Sequence, residues 1–229
     1  MQTHDAGQVE ATRVAEAMWV QESQFDVLVA RARKLADAGG RRALGIVGAP
    51  GAGKSTLAEH LVAALRPAAV LVPMDGFHLA EAELHRLGRH DRKGAIDTFD
   101  AAGYVHLLAR LREAGPATVY APEFHREIEE PIAGAIPVPP EVPLIVTEGN
   151  YLLVDEGEWV AVRDLLDEVW YLVPDERIRL DRLTQRHMVY GRPADEAAAR
   201  ARGTDQRNAE LIESTSIRAD LVIHLAPAG

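Results

Sequence analysis

The sequence predicts an α/β fold in which a five-stranded parallel sheet is covered by helices. Two observations carry that prediction. Short continuous apolar runs such as "ALGIVG" (43–48), "VPLIVTEG" (142–149) and "EVWYLVP" (168–174) lack the alternation of a half-exposed strand, so they read as strands buried on both faces. Segments with apolar residues at helical spacing separate them, which is the strand-helix order of a parallel α/β sheet. The 229 residues suffice for one well-buried domain with appended helices.

The elements follow in order. Residues 8–38 show helical spacing through Val9, Val14, Met18, Phe25, Leu28, Ala32 and Leu35, and Gly39-Gly40 ends it. The first strand is 43–48, and "TLAEHLVAALR" (56–66) is a helix. "AAVLVPMD" (68–75) is the second strand, and a helix over 100–115 starts on Asp100 as its cap. Residues 116–141, rich in Pro and β-formers, read as a hairpin or an extended excursion. The remaining strands are 142–149, 168–174 and 220–225, with helical patterns over 157–167, 175–190 and 193–213. The division expected is an N-terminal helical extension over 1–38, which could pack on the domain or form a homodimer, followed by one domain over 39–229.

Composition removes several function classes. A net charge of −10 argues against general nucleic-acid binding, which needs a phosphate-neutralising surface. Zero cysteines exclude disulfides, thiolate metal sites and a Cys nucleophile. No apolar run reaches membrane-span length and the N-terminus lacks a signal-like core, so a cytoplasmic protein without membrane partners is expected. Basic residues are nearly all Arg; the lysines are Lys34, Lys54 and Lys93, which makes each of them informative.

The sharpest motif is "GAPGAGKST", with Gly48, Ala49, Pro50, Gly51, Ala52, Gly53, Lys54, Ser55 and Thr56. It fits G-x-x-x-x-G-K-[ST] between a strand and a helix. Glycines let backbone N–H groups curl around phosphates at a helix N-terminus. Lys54 reaches the β- and γ-phosphates and Ser55 ligates Mg²⁺. ATP with Mg²⁺ is the expected ligand, and the fold expected is the three-layer P-loop NTPase fold with the hairpin excursion and an Arg-bearing helical lid.

Two carboxylates close predicted strands, Asp75 and Glu148, on the rim where ligands bind. A division of labour follows: one serves the metal, the other takes a proton from an attacking hydroxyl. Each also has a bland reading as a turn or cap beside glycine. Downstream, Arg179, Arg182 and Arg186 share a helix face and lead to Arg192 in "YGRP", as a phosphate-gripping lid would, although a solvated face pairing with nearby acids competes. His78 follows Asp75 by three residues and could bind the acceptor. Nine histidines fit no common zinc spacing, and the three tryptophans, Trp19, Trp159 and Trp170, read as core.

In order, "GAPGAGKST", "PMDGFHL", "RKGAIDTFD", "VYAPEFHREIEEPIAGAIPV", "TEGNYLL" and "RLTQRHMVYGRP" together resemble the uridine kinase / phosphoribulokinase / type I pantothenate kinase family, over residues 25–226. The nearest likeness is to its nucleoside/nucleotide kinase-like, fructose-kinase-like branch. The resemblance implies a small-molecule phosphotransferase acting on an alcohol group: Asp75 as general base, Glu148 in the Mg²⁺ shell, Asp97 on acceptor hydroxyls, and Tyr120, Phe124 and Arg126 from the hairpin over the acceptor. It implies Arg182 and Arg186 as catalytic arginines, with Arg192 next. Phe77 and His78 then begin the acceptor wall. Ile96 stands where the family usually has Pro, and His125 where the branch has Asp, so no role is carried to His125. Sugar, nucleoside and pantothenate acceptors stay open. A GTPase switch lacks its Asn-Lys-x-Asp specifier, and an inactive nucleotide-binding regulator sits poorly with Lys54, Asp75 and Glu148 all present.

Overall fold

The computed structural model describes residues 15–189, 191 and 193–226. In chain order its elements are β1 (Glu16–Val20), α1 (Asp26–Ala36), β2 (Arg42–Gly48), α2 (Lys54–Leu65), β3 (Ala69–Leu71), α3 (Glu81–Arg86), α4 (Ala101–Glu113), β4 (Val119–His125), β5 (Glu130–Val138), β6 (Leu144–Gly149), β7 (Glu168–Val173), α5 (Glu176–Val189), α6 (Ala194–Arg202), α7 (Thr204–Ser214) and β8 (Leu221–Leu225). Six strands form one parallel sheet in the order β1-β8-β7-β2-β6-β3, and β4-β5 form a separate antiparallel hairpin.

The continuous apolar runs are explained by two cores, one on each face. On β2, Ala43 and Val47 enter one core with Tyr104, Leu108 and Trp159, while Leu44 and Ile46 enter the other with Leu28, Leu57 and Leu61. α1 and α2 cover the second face; α4, the turns of 157–165 and Ile212 of α7 cover the first.

Four expectations are corrected. The sheet has six strands rather than five, because residues 16–20 are a strand and not helix. β1 pairs along β8 from Glu16↔Leu221 to Val20↔Leu225 and buries Val20; this pairing overrides the helical spacing of the segment. Helix begins only at Asp26, and the part of the expected extension before residue 15 lies outside the described residues. β3 stops at Leu71, short of the expected residue 75, because Pro73 has no N–H to give the ladder. Residues 157–167 form two short 3-10 turns drawn in by buried Trp159, which meets the rings of Phe99, Tyr104 and Tyr151 at 5.6–6.1 Å. Finally, Trp19 is not core: it is 73% exposed and stacks on His224 at 4.4 Å.

Candidate active site

β2 runs through the middle of the sheet and ends at Gly48; α2 opens at Lys54, with the loop between them at the carboxyl edge of the strands. Gly53 adopts φ 91°, a left-handed conformation that a side chain would strain. The loop's own carbonyls hold Lys54: Nζ donates to Gly48 O at 2.9 Å, Ala49 O at 3.2 Å and Asn150 Oδ1 at 2.8 Å.

β6 lies beside β2 with Glu148 opposite Ile46, so its carboxylate arrives next to the loop. Ser55 Oγ donates to Glu148 Oε1 at 2.9 Å. Burial pushes the Glu148 carboxyl up, with Lys54 opposing it, and burial lowers the Lys54 ammonium, with Glu148 opposing that. A buried carboxylate and a hydroxyl oxygen this close are a hard-oxygen pair suited to Mg²⁺, whose charge would offset the cost of the buried anion. The residues present therefore fit the ion that the P-loop implies.

Asp75 leaves the end of β3 in a helical turn over Met74–Phe77. The Asp-Gly pair proves to be about close approach. A Cβ at Gly76 would lie 2.5 Å from Pro122 O, so only glycine lets the hairpin pack against the turn that carries Asp75. From that hairpin Arg126 Nη2 reaches Asp75 Oδ2 at 3.4 Å, and both side chains are partly exposed. His78 Nδ1 donates to Asp75 O at 2.8 Å, and its ring lies 4.1 Å from Phe99 and 4.7 Å from Phe124. Burial lowers its pKa, which favours the neutral ring, and with Nδ1 donating to Asp75 O the Nε2 atom is left as an acceptor.

These groups open on one cavity of about 520 Å³, which gathers Pro50, Lys54, Ser55, Asp75, His78, Phe124, Arg126, Glu148 and Arg186 of the sequence-derived set. Phe77, Asp97, Tyr120 and Arg182 do not line it. Phe77 packs edge-on against Tyr104 at 5.2 Å, and Tyr120 is 59% exposed. Asp97 is held by Arg92 and by Arg89 Nε at 3.4 Å. Arg182 lies by the P-loop, its Nη1 3.4 Å from where a Gly53 Cβ would stand. Arg179, on the same helix face, is buried: it grips Glu176 in bidentate fashion at 2.7 Å and donates to Pro50 O at 3.2 Å, which ties α5 to the loop. Arg192 lies outside the described residues.

Sequence reasoning missed several wall residues. Asn150 follows the "TEG" strand end directly and could have been noticed there. Lys93, singled out only as a rare lysine, joins Glu81, Glu129 O and the Phe124 face, 5.2 Å from its centroid. His187 and Asp205, paired at 2.7 Å between α5 and α7, carry no local signal.

The family model for the phosphoribulokinase / uridine kinase family matches residues 43–228. This chain belongs to that family. Its members are P-loop kinases, so the family makes the chain a phosphotransferase that uses ATP. A candidate uridine kinase, C227.14 of Schizosaccharomyces pombe, is 32% identical over 212 residues, covering 88% of this chain and 90% of that protein. The crystal structure of a candidate fructose transport system kinase from Silicibacter sp. TM1040 is 38% identical with a TM-score of 0.77, covering 85% of this chain and 98% of that one. YFH7 of Saccharomyces cerevisiae, a candidate P-loop kinase with a circular permutation, has a TM-score of 0.79 at 18% identity over 90% of this chain and 99% of its own, a likeness of fold alone. Among the described residues no helix is long and apolar enough to cross a membrane.

Proposed function

We propose that this kinase transfers the γ-phosphate of ATP to a hydroxyl of a small molecule, with Asp75 as general base. The observation that carries the reading is one shared cavity: Lys54 and Ser55 stand on its wall together with Asp75 and the aromatic and basic groups from the hairpin. Lys54 would exchange its bonds to the loop carbonyls for phosphate oxygens. Ser55 and Glu148 would hold Mg²⁺, which when bound neutralises developing phosphate charge. Arg186 from the lid, with Arg182 beside Gly53, serves the same charge from the chain's own side chains. Asp75 accepts the hydroxyl proton. The 3.4 Å approach of Arg126 is long for a hydrogen bond, which leaves the carboxylate open to an incoming donor. His78 Nε2 accepts from a second hydroxyl, and Phe124 and Phe99 offer apolar faces to a ring.

A polyhydroxylated ring compound, a sugar or the ribose of a nucleoside, suits that wall best. The names carried by the S. pombe and Silicibacter relatives point the same way. The test is an ADP-release screen with Mg-ATP against sugars, nucleosides and pantothenate. At least one hydroxyl acceptor is expected to raise ADP release well above the hydrolysis background. Hydrolysis that no acceptor stimulates contradicts the reading.

A further inference from the structure

We propose that Glu81, His85 and His90 form a binding site for a borderline-soft divalent cation of the zinc class, at the rim of the cavity and separate from the P-loop. The sequence spacing of these histidines matches no common zinc pattern, but the turn between them makes up for it. α3 sets Glu81 and His85 one helical turn apart on one face. The helix then ends in a Schellman turn: Gly88 takes φ 65°, its N–H donates to His85 O at 3.1 Å, and Arg89 N–H donates to Leu84 O at 2.8 Å. That reversal lays the His90 ring over the His85 ring, 4.1 Å apart and 14° from parallel.

One ligand atom from each of the three residues lies within 4.8 Å of the others. His90 Nδ1 is 2.6 Å from Glu81 Oε2, and His85 Nε2 is 4.0 Å from that oxygen. Ligand atoms about 2.1 Å from a tetrahedral zinc stand about 3.4 Å apart, so shifts of about 1 Å, with the two imidazoles turned out of their stack to aim both lone pairs at one point, would seat the ion. The carboxylate is already oriented. The Glu81 backbone N–H donates to both oxygens of Glu130 at 3.1 and 3.2 Å, which anchors the start of α3, and Lys93 Nζ donates to the other oxygen of the Glu81 side chain. Support of this kind from behind fixes a metal-ligating carboxylate. The Lys93 charge is shared with Glu129 at 3.6 Å, which limits its repulsion of a cation. Two imidazoles and one carboxylate favour zinc over magnesium, which prefers oxygen ligands alone. Three protein ligands leave a fourth position for water or a ligand from the cavity.

The test is calorimetric titration of Zn²⁺ into the full chain under excess Mg²⁺, with Co²⁺ visible absorption as a second readout. One equivalent of Zn²⁺ is expected to bind, and His85→Ala or His90→Ala to weaken it at least ~10-fold with unchanged circular dichroism. His106→Ala, on an exposed face of α4, and Glu148→Gln should leave it unchanged. Absence of zinc binding, wild-type affinity in both histidine variants, or loss in Glu148→Gln instead would overturn the proposal.

Discussion

Asp75, Lys54 and Glu148 come from three different strand ends, yet each reaches the same cavity because parallel strands deliver their carboxyl ends to one rim. Two of these charges are buried at some cost. Burial works against the Lys54 ammonium and the Glu148 carboxylate, and each supplies the other's largest charge compensation. Lys54→Ala is therefore expected to weaken ATP binding or turnover, measured as the ATP dependence of ADP release; wild-type kinetics would remove Lys54 from the phosphate site. His78 yields a pH prediction. An ordinary histidine titrates near 6.5, but burial holds His78 lower in the folded chain. As pH falls below 6.5 the unfolded chain takes that proton first, so this contribution to stability is lost on acidification through the lowered folded value. As pH falls below about 6.5, His78→Gln should flatten the fall in the denaturation midpoint relative to wild type. At this scale the phosphate loop was fully legible, because glycine, lysine and serine at fixed spacing is local chemistry. The partner of Lys54 at Asn150 was not, because only the β2-β6 register brings it near.

The hairpin and the helices α5–α7 both line the cavity, and one short segment meets the hairpin and α7. Lys93 reaches from its loop to Glu81 and to the hairpin at Glu129, while Gly94 O accepts from Tyr151 Oη at 2.6 Å and from Asn208 of α7 at 3.4 Å. Lys93→Met should keep the packing on Phe124 but loosen the hairpin, seen as faster hydrogen exchange over 119–138. Gly76→Ala should force the hairpin off the Asp75 turn and lower acceptor kcat/KM at least ~10-fold with little change in ATP affinity. The arginines of α5 divide by burial. Arg179→Ala should lower thermal stability, since it leaves Glu176 and Pro50 O without their guanidinium. Arg186→Ala, which lines the cavity, should lower kcat by ~10-fold or more. The spacing of Arg179, Arg182 and Arg186 read correctly as one face, but spacing cannot tell that the first of them is buried against the loop and α7.

The whole molecule is a sheet with two cores, and all five strands expected from apolar runs are present, since strands buried on both faces need no partner information to be recognised. β1 escaped notice because an edge strand of five residues has no such run; it is defined by β8, some two hundred residues later. Deleting residues through Val20 should uncover β8, release Arg31 from Glu16 and lower the melting temperature, whereas removing only residues 1–14 leaves β1 in place. The net charge of −10 makes the cavity stand out: of three lysines in the chain, two line it. The central claim is that Asp75 takes the proton from an acceptor hydroxyl. Its most direct test is single-turnover phosphoryl transfer by Asp75→Asn beside wild type, with ATP affinity measured separately. The account predicts unchanged ATP affinity and transfer slowed by ~10²–10⁴-fold; transfer at the wild-type rate would contradict it.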